Sequence, residues 1–377
     1  MNTITRRYLA LAAVPVLAAC TTQIPGMGPN VPQSVNGDAR LTAPFLYVAE
    51  CCEQEFTNGA GTITLYDPGL SRVARTIKKG VANPWFITVD ETGRTYMVSF
   101  DDSPGGGVTE YDVGSMRPSR HIKLQYAWAA ATDESNNLYV ASCPTCYPYT
   151  RGNGSIKVYE AGTTKLLRSI TKGIEEPTSL AFDTRGNLYA VSFDQNTTNV
   201  VVYAPGSRTP LRTLSQGYSY PTAIALDSSN DLFVMRSPNG SSSSVVEYKA
   251  DSDKIVRTIT KGLLSPQAIA VDSSGTLYVA NTPFPSAGWV SVYPQGAHRP
   301  SYRITSGMYD PQLVAVDRDG NLYVGNDDYG GGPLAHRDVS SGFGGSVCAY
   351  ATHAKTPLRC ITTPQYSSVY SLAIKPR

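Results

Sequence analysis

The sequence predicts an all-β fold, a seven-bladed β-propeller of four-stranded antiparallel blades. The last blade is closed by N- and C-terminal strands. Three observations predict it. One unit recurs every 43 to 50 residues from residue 84 onward, the spacing of propeller blades. Each unit holds four short apolar segments separated by turn residues, in a chain with 24 tyrosines, 33 glycines and 26 prolines. The first copy lacks its leading strand, and the chain ends on a strand of that missing type.

The elements follow in chain order. Residues 1–19 read as a targeting segment and not as part of the fold. Arg6 and Arg7 precede an apolar stretch, Leu9 to Ala19, that is too short to span a bilayer. The stretch ends in Leu17-Ala18-Ala19-Cys20, which resembles the lipobox of bacterial lipoprotein signal peptides. That resemblance implies a diacylglyceryl group on the Cys20 sulfur, cleavage before it, and stable anchoring through two or three acyl chains. The membrane, reached through this anchor, is therefore the first expected partner. Thr21 follows Cys20 where the inner-membrane retention signal of many two-membrane bacteria has Asp, so the outer membrane is the expected address in such a host. Residues 20–44 are rich in Pro, Gly, Asn and Ser and read as the lipidated cysteine and a flexible tether, reaching about 25–30 Å.

Residues 45–377 form the propeller domain. Its clearest units read PTSLAFDTRGNLYAVS (177–192), PTAIALDSSNDLFVMR (221–236), PQAIAVDSSGTLYVAN (266–281) and PQLVAVDRDGNLYVGN (311–326). Divergent copies begin at residues 84 and 127. Strand A is the small and branched apolar run before the Asp. That Asp (Asp90, Asp133, Asp183, Asp227, Asp272, Asp317) opens a tight turn and can accept backbone N–H groups within it. Strand B is the Leu-Tyr-Val-Ala segment, strand C the V-x-V-Y segment and strand D the R-T-I segment. Residues 46–50, 62–66 and 73–77 supply B, C and D strands with no A before them, and 371–374 is a lone A-like strand. Six whole units and one composite make seven blades.

The repeat resembles NHL-type and lactonase-like propellers, in which the pattern P-x-x-I-A-V-D-x-x-G-x-L-Y-V-A-N is widespread. The resemblance covers residues 45–377. It implies the fold, and its families include binding modules, structural proteins, lactonases and lyases.

Charge excludes one class of partner. With Arg6 and Arg7 in the leader, thirty basic side chains are left against thirty acidic ones, and no Lys/Arg run supplies the phosphate-neutralising surface of a nucleic-acid binder. The expected site lies where the B–C and D–A loops share one end of the channel, because the B–C loops 51–61, 143–154 and 327–345 are long and varied. At the start of strand A the units read Trp85, Trp128, Thr178, Thr222, Gln267, Gln312 and Tyr370, an aromatic arc on three adjacent blades facing a polar one. The end of strand B reads Glu50, Ser99, Ser142, Ser192, Arg236, Asn281 and Asn326, with Glu50 and Arg236 across the ring from each other. The next position brings Cys51, Phe100 and Cys143. These rings suit a sugar ring or peptide side chain, or else plug the channel.

Catalytic signatures are thin, and neither a metal nor a cofactor is expected. His121 belongs to a D strand, and His298 and His353 to C–D turns. His336, in the longest loop, could act with Asp327, Asp328 or Glu50 as histidine does in the streptogramin lyases that resemble this fold. Asp317-Arg318-Asp319-Gly320-Asn321 looks like a calcium loop, but it sits where every unit has its A–B turn. Six cysteines follow Cys20, and export makes disulfides the default. Cys348 and Cys360 fall on the C and D strands of one hairpin, Cys143 and Cys146 share one loop, and Cys51 and Cys52 are vicinal. The connectivity stays open. The function expected is a non-catalytic binding module for an envelope glycan, peptide or protein, with a lactonase- or lyase-type enzyme and a structural scaffold as alternatives.

Overall fold

The structure is a computed structural model that describes residues 46–375, apart from 53–60, 100–105, 145–152, 194–197, 216–220, 237–242, 284–285, 327–344 and 364–366. Expectations for the leader, Cys20, the tether, Phe100, Cys146 and His336 lie outside the described residues. Among the described residues twenty-eight strands make seven four-stranded antiparallel sheets, with one 3-10 turn at Pro68–Leu70. The closing blade pairs Ser367–Ile374 with Leu46–Cys52, followed by Thr62–Tyr66 and Val73–Ile77. Blades 1 to 6 then occupy residues 84–123, 127–170, 176–215, 221–259, 266–304 and 311–362.

The A strands touch one another all the way round, with the terminal strand Ser367–Ile374 seated between the A strands of blades 6 and 1. No single blade can bury both faces, and the core is accordingly made between blades. Leu46 and Val48 of the closing blade pack with Leu313, Tyr323 and Val347 of blade 6, while Tyr47 and Ile63 pack with Ile87, Met97 and Tyr111 of blade 1. Strand B residues thus send alternate side chains to opposite neighbours, which is why these strands are apolar throughout.

The repeated Asp does what its turn asks of it. Asp272 Oδ1 accepts the N–H groups of Ser274 and Thr276, both at 2.9 Å, and Oδ2 accepts the Tyr278 hydroxyl at 3.1 Å. Asp317 Oδ1 takes the N–H groups of Asp319 and Asn321, and Oδ2 takes Asn321 Nδ2 and the Tyr323 hydroxyl. The calcium-like run at 317–321 therefore uses this carboxylate to close its own turn. A second tyrosine, at the end of strand C, ties each of four blades to the one before. The hydroxyls of Tyr111, Tyr203, Tyr293 and Tyr350 donate to the carbonyls of Lys79, Lys172, Lys261 and Ser306.

Candidate functional site

The position that carries the aromatic arc is a β-bulge in all seven blades. In blade 1 Pro84 pairs with Ser99 and Phe86 with Val98, so Trp85 is the extra residue. The same shift skips Trp128, Thr178, Thr222, Gln267 and Gln312. In the closing blade Ser371 pairs with Ala49 and Val369 with Glu50, which makes Tyr370 the bulged residue. A bulge re-aims a side chain that would otherwise alternate within the sheet, and here it does so seven times at one level.

Local backbone supports the device. Asn83, Tyr126 and Ser265, two residues before Trp85, Trp128 and Gln267, have φ of 43°, 48° and 49°. This left-handed region is unfavourable for a bulky residue such as Tyr126. The Tyr126 and Ser265 carbonyls accept N–H bonds from Cys143 and Thr282, which cap the ends of the B strands. The sequence identifies the ring position by alignment, but the bulge and the left-handed entry leave no mark in a period-2 pattern.

The three aromatics meet. Trp85 and Trp128 lie edge to face with ring centroids 6.2 Å apart, and Trp85 and Tyr370 are tilted at 6.1 Å. All three are half-buried. Trp85 packs its inner side on the cluster that includes Phe86, Val98 and Ala127. On the polar side Gln267 Nε2 donates to the Ser265 carbonyl at 3.1 Å, and Gln312 Nε2 to Asp310 Oδ1 at 2.8 Å.

The end of strand B is a different kind of ring. Asn281 and Asn326 are 0% and 2% exposed, and their amides hold the loops that lead into their own blades. Asn281 Oδ1 accepts the Leu264 N–H and its Nδ2 donates to the Val279 carbonyl and Ser291 Oγ. Asn326 takes the Tyr309 N–H and donates to the Gly307 carbonyl and Ser346 Oγ. Ser192 Oγ holds Glu175 N in the same way in blade 3. These side chains position the mouth from behind. Glu50, at the same place in the closing blade, is 5% exposed with Thr62 Oγ1 donating to its Oε2 at 3.4 Å. Burial pushes its carboxyl up to about 7, with the Thr62 bond opposing the shift. Arg236 in blade 4 donates to the Tyr248 hydroxyl at 3.4 Å, and desolvation lowers the pKa of its half-buried guanidinium. Glu176, before the blade 3 bulge, is likewise shifted up by desolvation.

The cysteines are placed in part. Cys348 and Cys360 are disulfide-bonded across strands C and D of blade 6. Cys143 is also disulfide-bonded, with its partner outside the described residues. Cys51 is buried with its sulfur 3.7 Å from Asn83 Oδ1, and the Cys52 side chain lies outside the described residues. His121 Nδ1 lies 3.0 Å from Thr109 Oγ1, away from the mouth, and burial lowers its pKa. Among the described residues no three His, Cys, Asp or Glu side chains form a metal-binding group.

No family model and no curated protein matches the chain. Among solved structures the fold is similar to that of a protein from Lactobacillus plantarum, at 13% identity over 88% of this chain and 99% of that one, with a TM-score of 0.63. It is also similar to hydrazine synthase from Kuenenia stuttgartiensis, at 15% identity over 72% and 77% of the two chains, with a TM-score of 0.54. At these identities the likeness is one of fold.

Proposed function

We propose that this chain is an exported lipoprotein, anchored through Cys20, whose propeller holds an envelope glycan, peptide or protein partner at the mouth without transforming it. The observation that carries the reading is the arc of Trp85, Trp128 and Tyr370, three half-buried rings brought together from adjacent blades by three bulges. An apolar platform beside the partly exposed amide of Gln312 suits a ligand with one flat apolar face and hydroxyl or amide groups at its edge, as a pyranose has.

Trp85→Ala and Trp128→Ala are expected to weaken capture of a glycan or peptide by about 2 kcal/mol or more while the protein still melts near the wild-type temperature. If the rings serve only as channel packing, the same changes open cavities and cost about 3–5 kcal/mol of stability. Large melting shifts with no ligand found across a panel of envelope glycans and peptides would overturn the binding reading. The anchor is tested separately. Labelled fatty acid should enter the wild type and not Cys20→Ala, and unmodified wild-type protein in the soluble fraction would refute it.

One observation favours a second reading, a propeller enzyme of lactonase or lyase type. A carboxyl held near pH 7, as Glu50 is, matches the requirement for general acid–base work. Turnover of a lactone panel by wild type that is lost in Glu50→Gln would establish it.

A further inference from the structure

Each of the seven C–D turns carries an exposed Lys or Arg, from Arg72 in the closing blade round to Lys355 in blade 6. Their acidic neighbours are not evenly shared. Asp67 holds Arg72 at 2.7 Å and Glu160 holds Lys165 at 3.2 Å. In blades 3, 5 and 6 the turns span residues 204–211, 294–301 and 351–358, and these segments contain no acid. Arg208, Arg299 and Lys355 there form no ion pair among the described residues. In blade 4, Asp251 is engaged by Arg185 and Lys249 by Asp231, and Lys254 stands beside Asp253. Large apolar side chains stand exposed beside the rim cations on both arcs, with Leu211 at 59%, Ile255 at 50% and Leu358 at 61% on this one and Val73 at 51%, Met116 at 52% and Leu166 at 48% on the other, so it is the turns without acid that set this arc apart.

We propose that this arc, the C–D rim of blades 3 to 6, lies against an anionic phospholipid surface. Guanidinium and ammonium groups would meet headgroup phosphates, and the adjacent Leu and Ile side chains would enter the boundary between headgroups and acyl chains. The chain itself says which surface is near. Leu46, where the described chain begins, pairs with Tyr66, which pairs with Val73 at the start of strand D. The matching row in blade 4 is Leu232, Tyr248 and Ile255. Leu46 therefore lies at the rim end of the sheets, in the blade next to blade 6. To this extent the inference rests on the lipid-anchor reading, because a tether of 25 residues ending on an acylated Cys20 would bring that end to the bilayer. The mouth, at the opposite end, then faces away from the membrane and is open to its ligand.

The test uses the full, acylated protein reconstituted in phosphatidylglycerol vesicles or in phosphatidylcholine vesicles, treated with an amine-reactive label and read by mass spectrometry. Lys254 and Lys355 should label about fivefold less on the anionic vesicles, with protection lost in high salt. Lys165, on the far arc, should label equally on both. The exposed variant Arg208→Glu with Arg299→Glu should lose the protection of Lys254 and Lys355. Equal labelling of these two lysines on both vesicles, or equal protection of Lys165, would overturn the oriented rim. The same spectra report whether Cys20 carries acyl mass, so a failed anchor is distinguishable from a failed rim. Unacylated protein that sediments with phosphatidylglycerol vesicles alone would still uphold the rim, and protein that does not would overturn it.

Discussion

Glu50 stands where the other blades carry Ser, Asn or Arg, and its carboxyl has exchanged water for the seam beside Thr62. Its pKa rises from 4.5 unfolded to about 7 folded, so the folded state binds more protons between those values. A carboxyl raised in this way stabilises the fold in its protonated form, and that contribution is lost as pH climbs from about 4.5 to 7. A shift of this size corresponds to roughly 3 kcal/mol. Glu50→Gln should therefore match wild type near pH 4.5 and exceed it at pH 8 by about 2–3 kcal/mol, read from paired denaturant melts. Equal stability at both pH values would mean that Glu50 is solvated. The same row shows how far single residues were legible. Alignment puts Asn281 and Asn326 at the ends of their B strands, where the structure has them, but a sequence carries the row and not the direction of the amide. Their amides turn to the backbone of the Leu264 and Tyr309 loops because those N–H groups have no strand partner.

At the scale of the element, the A–B turn is the most economical part of the repeat. One carboxylate satisfies two turn N–H groups and a buried tyrosine hydroxyl six residues on, so the spacing D-x-x-x-x-x-Y is itself a sequence signature of this strand pair. Asp272→Ala would remove the acceptor of these three donors and of the Ser274 hydroxyl, and should cost about 2–4 kcal/mol, measured as a lower denaturant midpoint at an unchanged slope. Asp272→Asn, which keeps one acceptor oxygen, should recover most of the loss. A midpoint unmoved by Asp272→Ala would show that water replaces the carboxylate in the turn. Turns and strands were legible because they rest on local chemistry repeated six times. The bulge was not, because inserting one residue at Trp85 or Gln267 leaves the apolar alternation on either side intact. The contact of Trp85 with Trp128 and Tyr370 joins residues from three blades, which only the closed ring brings together.

For the whole molecule, closure is the property on which every blade depends, and the strand count alone was enough to predict it. The structure lengthens the expected closing strand from 371–374 to Ser367–Ile374 and places it innermost in its sheet. Its Leu372 is fully buried with Leu313 and Ala315 of blade 6, and Ser371 Oγ accepts the Ile87 N–H of blade 1 at 3.2 Å. Deleting residues 368–377 would thus strip the ladder from Leu46–Cys52 and uncover both flanking blades at once. Each blade buries its faces only on its neighbours, so an open ring has no intact unit on which to fall back. The expected result is loss of the cooperative melt, and not a downward shift of a few degrees. Adding a peptide of residues 366–377 to the truncated protein should restore a cooperative transition, because the strand binds by pairing and packing with no covalent requirement. A truncated protein that melts within a few degrees of wild type would show that the first and last strands do not hold the ring shut.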